Sequence, residues 1–283
     1  MFVRDLRNSK MLLPPPLIFV LILLTPVTTK DVKIINGTEA QTDEFPFMVS
    51  LQNNTTHFCG GTVLNKKFIL TAAHCVCNVN LDKLTVHLAH YLENPREKIP
   101  VKSIICNENY SEMEHINDIA VLELENEITF FHPVKLVSEG FVCERDRQGV
   151  LVGWGLTEEG KIATFLRKVD VVAYDDASCA NSHFGMYDME KNMCAGWPED
   201  GRGSCQGDSG GPLLIEGFQA GIISFGISSD CGISSREHPK VLTRISKYVE
   251  WIDENSKYGA GNYGVGVRLC KVLLLMCIFA LVG

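Results

Sequence analysis

The chain has 283 residues, of which 46% are hydrophobic and 21% charged. That composition excludes a disordered or collagen-like polymer and supplies enough apolar side chain for a sizeable core. Lysine and arginine total 26 against 34 aspartate and glutamate, so the formal charge of −8 argues against a nucleic-acid-binding surface.

Arg4, Arg7 and Lys10 precede an apolar stretch from Met11 to Leu24 and the small residues Thr25, Thr28 and Thr29. This is the layout of a secretory signal peptide over residues 1–29. Eleven cysteines, nearly all of them between Cys59 and Cys231, agree with export into an oxidising compartment. So do the triplets at Asn36, Asn53, Asn54 and Asn109, each of which can accept a glycan in a secreted chain. From Ile34 to Lys257 there is no low-complexity linker, heptad run or internal repeat. Short β-rich segments recur there between turn residues, at 47–52, 62–64, 68–71, 119–124, 150–153, 166–173 and 219–224, which predicts an all-β barrel or sandwich. Ile245, Tyr248, Val249 and Ile252 fall at helical spacing and predict one helix near the end. No glycine-rich phosphate loop lies between a strand and a helix, so a nucleotide enzyme is excluded.

The tail 258–283 combines small residues (Gly259, Ala260, Gly261), the basic residues Arg268 and Lys271, and an apolar run from Val272 to Gly283. That run is too short to cross a bilayer core of ~30 Å as a helix. A glycolipid-anchor signal fits the layout, and a short membrane segment is the other reading. Either one places the rest of the chain outside the cell, secreted or on the extracellular face of the plasma membrane.

Three strings carry chemistry: Leu70-Thr71-Ala72-Ala73-His74-Cys75, Asn117-Asp118-Ile119-Ala120 and Gly207-Asp208-Ser209-Gly210-Gly211-Pro212. A serine hydroxyl is a weak nucleophile at neutral pH and needs a base within hydrogen-bond reach, and an imidazole base needs a carboxylate to hold its tautomer. With Ile34-Ile35-Asn36-Gly37, His57-Phe58-Cys59-Gly60-Gly61, Gly153-Trp154-Gly155, Cys194-Ala195-Gly196 and Tyr248-Val249-Glu250-Trp251-Ile252, the chain resembles the chymotrypsin-like serine proteases over residues 34–257. The letters G-x-S-x-G also occur at Gly207–Gly211, the signature of esterases and lipases. Those hydrolases place the histidine after the serine, and here His74 comes first.

The resemblance implies two packed six-stranded antiparallel β-barrels with a C-terminal helix, the active site between them and the crossover near residues 135–148. It implies a serine endopeptidase acting on peptide or protein substrates through an acyl-enzyme. His74, Asp118 and Ser209 would be catalytic, and the backbone N–H groups of Gly207 and Ser209 would form the oxyanion hole. Residues 30–33 would be an activation peptide, cut after Lys33 by a trypsin-like protease so that the new amine of Ile34 pairs with Asp208. Gly203, Ser204, Gln206, Ser224, Phe225, Gly226 and Lys240 would contact substrate. Ser224 would also support Asp118, and residues 224–226 would pair with an extended peptide as an added strand. The family's bridges map to Cys59–Cys75, Cys179–Cys194 and Cys205–Cys231, while a further common bridge would need cysteines at Gly149 and Ile215. Cys77, Cys106 and Cys143 remain, and a Cys77–Cys106 pair leaves an odd thiol. A zinc site built on Cys75 and Cys77 is a rival reading without a second cysteine pair to complete it. The loop between His87 and Val101 is shorter than the calcium loop of trypsins, so no bound metal and no cofactor are expected. His87-Leu88-Ala89-His90 and Lys98-Ile99-Pro100-Val101-Lys102 resemble the granzyme and mast-cell protease branch, which usually lacks the Cys205–Cys231 bridge.

Gly203 stands where trypsins carry the carboxylate that holds Lys or Arg, and Lys240 stands where a glycine is usual. Non-tryptic cleavage follows from this, with Asp or Glu before the scissile bond as the leading expectation. A shallow chymotrypsin- or elastase-like pocket is the alternative, and a catalytically silent binding module is the reading from another functional class.

Overall fold

The structure, a computed structural model, describes residues 37–130, 132–182, 187–199, 201–226, 231 and 234–263. The signal peptide, the activation peptide with Lys33 and Ile34, the triplet at Asn36 and the tail beyond Tyr263 lie outside these residues. Among the described residues no helix is long and apolar enough to cross a membrane.

Alternating side chains place one face of each strand in a common interior, and the strands close into two antiparallel barrels. The first holds β2 (Met48–Asn53), β3 (Thr56–Val63), β4 (Phe68–Thr71), β5 (Leu84–Leu88), β6 (Glu97–Cys106) and β7 (Ala120–Leu124), in the order β2-β3-β4-β7-β6-β5. β2 turns into β3 through Asn54, whose φ of 58° matches the twist a two-residue hairpin needs and which asparagine tolerates. The second holds β8 (Arg147–Gly153), β9 (Arg167–Ala173), β10 (Asn192–Gly196), β11 (Pro212–Ile215), β12 (Phe218–Gly226) and β13 (Lys240–Arg244), closed by the pairing of β8 with β9. A two-residue strand β1 (Thr38–Glu39) adds to β9. Among the described residues, three α-helices complete the fold: α1 (Ala73–Val76), α2 (Asp176–Ser182) and α3 (Val249–Ser256).

One continuous apolar cluster runs through both barrels, from Val49, Leu70 and Leu122 to Val171, Leu213, Ile222 and Leu242. The segment between β7 and β8 spans residues 125–146 and holds the crossover, with β8 starting at Arg147, inside the expected end at 148, because polar Arg147 and Gln148 hide the strand alternation. Inside the crossover Val134 N–H donates to Val63 O at 2.9 Å, and Val137 N–H donates to Gln219 O at 3.1 Å, so this segment straps one barrel to the other. The C-terminal helix begins at Val249, because Ile245–Lys247 forms a turn of 3-10 helix instead of its first turn.

Among the described residues, four disulfides join Cys59–Cys75, Cys77–Cys106, Cys179–Cys194 and Cys205–Cys231, and Cys143 is a buried thiol. Burial pushes the Cys143 thiol up to about 11, which keeps it protonated and unreactive. Because Cys75 and Cys77 are both oxidised, neither offers the thiolate that the rival zinc reading requires. Where the missing fifth bridge would lie, a side chain on Gly149 would meet Leu213 Cδ1 at 2.9 Å and Ile215 Cγ1 at 3.7 Å. Apolar packing therefore occupies that place.

Candidate active site

Both barrels contribute to one cluster of polar residues. α1 follows β4 directly, and the buried Ala72 and Ala73 let its single turn sit against the first barrel and project His74. Asp118 precedes β7 and is fully buried. Its Oδ1 accepts the backbone N–H of His74 at 2.8 Å, and its Oδ2 lies 2.7 Å from His74 Nδ1. The second barrel holds the same residue from behind: the Ser224 hydroxyl donates to Asp118 Oδ2, and Thr243 Oγ1 donates to its carbonyl at 2.8 Å. Burial alone would raise the Asp118 carboxyl. The ring and backbone N–H of His74 and the Ser224 hydroxyl outweigh it and hold the carboxyl below its ordinary value. An ionised carboxylate only accepts, so Nδ1 of His74 carries the proton and Nε2 presents its lone pair.

Asp118 is set by a loop with left-handed backbone at His115 (φ 51°) and Asn117 (φ 56°). Asn117 is pinned on both sides, its Nδ2 donating to Asn109 O at 2.7 Å and its Oδ1 accepting from the Tyr248 hydroxyl at 2.9 Å.

Ser209 sits in the turn before β11. Its carbonyl accepts Gly60 N–H at 2.8 Å, and Gly60 follows Cys59, which is bridged to Cys75 next to His74. One hydrogen bond and one disulfide thus tie the serine turn to the histidine helix. Gly210 N–H donates to Ile223 O at 2.8 Å, which ties the same turn to the strand of Ser224. A side chain on Gly210 would meet Thr71 Oγ1 at 2.3 Å and Gly60 O at 2.5 Å, so only glycine permits this approach. The Ser209 hydroxyl makes no hydrogen bond to His74 here, as is common before substrate orders a site. Among the described residues, the backbone N–H groups of Gly207 and Ser209 donate to no other group.

His57, to which the sequence assigned no role, and Asp208 both steady this turn. His57 is buried, with Nδ1 2.8 Å from Ser50 Oγ and Nε2 2.9 Å from Gly207 O. Burial lowers its pKa to about 4 against the pull of the Gly207 carbonyl, so the ring stays neutral and donates to that carbonyl. The run His57-Phe58-Cys59 was the available signal, but nothing local shows that its histidine reaches a residue 150 positions away. Asp208 is also buried, accepting Gly155 N–H at 2.7 Å and Cys205 N–H at 2.8 Å. Desolvation dominates these two donors and raises its carboxyl to about 6.

Beside Ser209 lies a cavity of about 150 Å³ lined by Ser204, Cys205, Gln206, Ile223, Ser224, Phe225, Gly226, Cys231 and Lys240. Gly203 is not among the residues lining it, and a side chain there would meet Ser234 Oγ at 2.7 Å. Lys240 is buried at 9% exposure and turns inward. A side chain on Gly226 would meet its Cδ at 2.6 Å and its Nζ at 2.8 Å, so the lysine stem crosses the pocket against Gly226.

The sequence pattern of the family described as Trypsin matches residues 34–252. Chymotrypsin-2 of Vespa crabro is 34% identical over 227 residues, covering 78% of this chain and 99% of that protein. A trypsin of Squalus acanthias is 35% identical over 226 residues, covering 79% and 96%. Among solved structures, neuropsin, a serine protease expressed in the limbic system of mouse brain, superposes with a TM-score of 0.69 at 30% identity, covering 77% of this chain and 98% of that one.

Proposed function

The chain belongs to the trypsin family of serine proteases and is a serine endopeptidase, and on that premise we propose how its residues divide the work. Ser209 Oγ attacks the scissile carbonyl while His74 Nε2 takes its proton, and Asp118 stabilises the imidazolium that results. The carbonyl oxygen, now an oxyanion, accepts the N–H groups of Gly207 and Ser209. His74 then hands the proton to the departing amine, and water attacks the acyl-Ser209 ester by the same route in reverse. The observation that carries this reading is the Asp118–His74 pair, set in one tautomer beside a serine flanked by two uncommitted N–H donors. Labelling by an organofluorophosphate tests it: the activated enzyme should take one label at Ser209, and a silent binding module should take none.

Activation follows from Asp208. Cleavage after Lys33 by a trypsin-like protease frees the ammonium of Ile34, which pairs with this buried carboxylate and orders the turn carrying Gly207 and Ser209. Among the described residues, the carboxylate has only backbone donors before cleavage. Burial raises its folded pKa to about 6, above the ordinary 3.8 of an aspartate. The stability tied to it is therefore complete below pH ~4 and is lost as pH rises through about 6. That loss amounts to about 3 kcal/mol at 1.36 kcal/mol per pKa unit. In the uncleaved chain, Asp208→Asn should remove this dependence. Urea unfolding at pH 4 and pH 7 reads it as a change in the difference between parent and variant, with the acid effect of His57 common to both. A parent that gains stability relative to the variant as pH rises would contradict the assignment.

We assign cleavage after Asp or Glu to the Lys240 pocket. An ammonium in a partly dry cavity attracts a carboxylate and repels Lys and Arg, and charge-assisted pairs are the stronger hydrogen bonds. Export, glycans and a lipid anchor complete the reading. Asn53, Asn54 and Asn109 are exposed and within reach of glycosylation. Treating intact cells with phosphatidylinositol-specific phospholipase should release the enzyme, with a mature C-terminus near residues 258–262. Mass spectrometry that finds Val272–Gly283 still attached would replace the glycolipid anchor with a short membrane segment.

A further inference from the structure

The single turn of α1 that projects His74 is too short to persist by itself, and Ala72 at its start offers no side-chain cap. Its place must come from what it is fastened to. At its start, Thr71 of β4 pairs with Ala120 of β7, two residues after Asp118. At its end, Cys77 is bridged to Cys106, the last residue of β6, which pairs with the same Ala120 from the other side. We propose that the Cys77–Cys106 bridge is a positioning element that closes a frame around the His74–Asp118 pair and sets kcat through it. The inference rests on those two residues acting as read above.

This bridge is not one of the three that the family resemblance implies. Both of its cysteines are partly exposed, while those of Cys59–Cys75 and Cys179–Cys194 are buried, so it contributes a tie more than buried surface. Asn78, the residue after Cys77, donates from Nδ2 to Glu112 Oε2 at 3.3 Å. Two consecutive residues therefore leave α1 for the segment between β6 and β7 that delivers Asp118. Asn107, the residue after Cys106, donates its N–H to Ile119 O at 3.1 Å, which carries the frame to the neighbour of Asp118.

The frame has a task in the reaction. The Ser209 turn is tied to α1 through Gly60 and the Cys59–Cys75 bridge, and Asp118 is held from the second barrel by Ser224 and Thr243. Those ties fix the serine against the histidine and the aspartate against the second barrel. Among the described residues, what fixes the histidine against the aspartate is their own pair of hydrogen bonds and the frame. Taking the proton from Ser209 and passing it to the leaving amine loads a charge on His74, and the ring must keep its angle to Asp118 through both steps. A displacement of ~1 Å can cost about 10²-fold in rate.

The test compares the activated parent with Cys77→Ala/Cys106→Ala. On a peptide substrate kcat should fall by about 10- to 100-fold with KM within about twofold, because the residues assigned to substrate lie on the second barrel. Cys179→Ala/Cys194→Ala, which removes the bridge between α2 and β10, should keep kcat. A second readout needs no activity: the NMR signal of the His74 Nδ1 proton, held on buried Asp118, should exchange slowly with water in the parent and fast in the folded bridge-free variant. If that variant does not fold, the folded parent serves. Graded dithiothreitol reduces a partly exposed disulfide to two thiols while closing to its own cyclic disulfide, iodoacetamide traps the thiols, and mass spectrometry assigns them. Loss of kcat should follow trapping at Cys77 and Cys106, not at Cys205 and Cys231, the other partly exposed bridge. An unchanged kcat in the folded bridge-free variant, an equal loss without Cys179–Cys194, or a loss that follows Cys205 and Cys231 would overturn the proposal. Faster Nδ1 exchange on opening the bridge, in a chain that hydrolyses nothing, would uphold the frame and overturn the catalytic reading instead.

Discussion

Replacing Ser209 by alanine should lower kcat by about six orders of magnitude, the loss found for serine triads of this type when the nucleophile is removed. The reason lies in how the three residues act together. Without the hydroxyl there is no acyl-enzyme, and the proton path from Oγ through His74 to the leaving amine has no beginning. What remains is the contribution of the N–H donors and of substrate binding, roughly 10³- to 10⁴-fold over water. The fold should be untouched. Ser209 is held through its backbone, with its carbonyl on Gly60 N–H, and its hydroxyl supports no other group. Removing it strands no buried donor or acceptor, so stability should stay within about 0.5 kcal/mol of the parent. Export, thermal unfolding and kcat measured on the same preparation separate the two effects. Turnover near the parent rate would refute the mechanism.

Lys240→Gly should have the next largest effect, and only on selectivity. Truncating one partner of a buried, hydrogen-bonded charge pair costs about 2–5 kcal/mol. At 1.4 kcal/mol per decade, kcat/KM for cleavage after Asp or Glu should fall roughly 30- to 4,000-fold. The same change enlarges the cavity, now about 150 Å³ with Lys240 on its wall beside Gly226. Phe and Leu, which would meet the lysine stem in the parent, should then be cleaved faster. Comparing Asp, Glu, Phe, Leu, Ala and Lys before the scissile bond in both proteins decides the matter. A parent that prefers Phe or Leu makes Lys240 a space-filler, and one that prefers Lys or Arg overturns the pocket argument. Because the chain is acidic, the rate on acidic peptides should also rise with added salt, as repulsion at long range is screened.

Short, mostly apolar runs were legible as strands from the sequence alone, among them β4 at Phe68–Thr71 and β7 at Ala120–Leu124. β6 and β13 were not. β6 carries Pro100 and three lysine or glutamate residues, and β13 carries Lys240 and Arg244, polar residues that read as surface. Arg244 is buried because Asp176 and Asn192 O receive its guanidinium, and these partners are distant in the chain. Local pattern cannot price a buried charge whose partner is elsewhere.

The sequence by itself determined the candidates for the chemistry. His74, Asp118 and Ser209 stand in short strings whose neighbours are demanded by local geometry, such as the glycines around Ser209 that let its turn approach Gly60. Three relations were decided only by the tertiary structure: Lys240 turned inward, His57 fastened to Gly207, and His115 brought beside His74. Motifs record the backbone that a residue needs in its own turn. Contacts between residues far apart depend on how two closed barrels pack, and that packing is set by the whole apolar interior, which no single segment encodes.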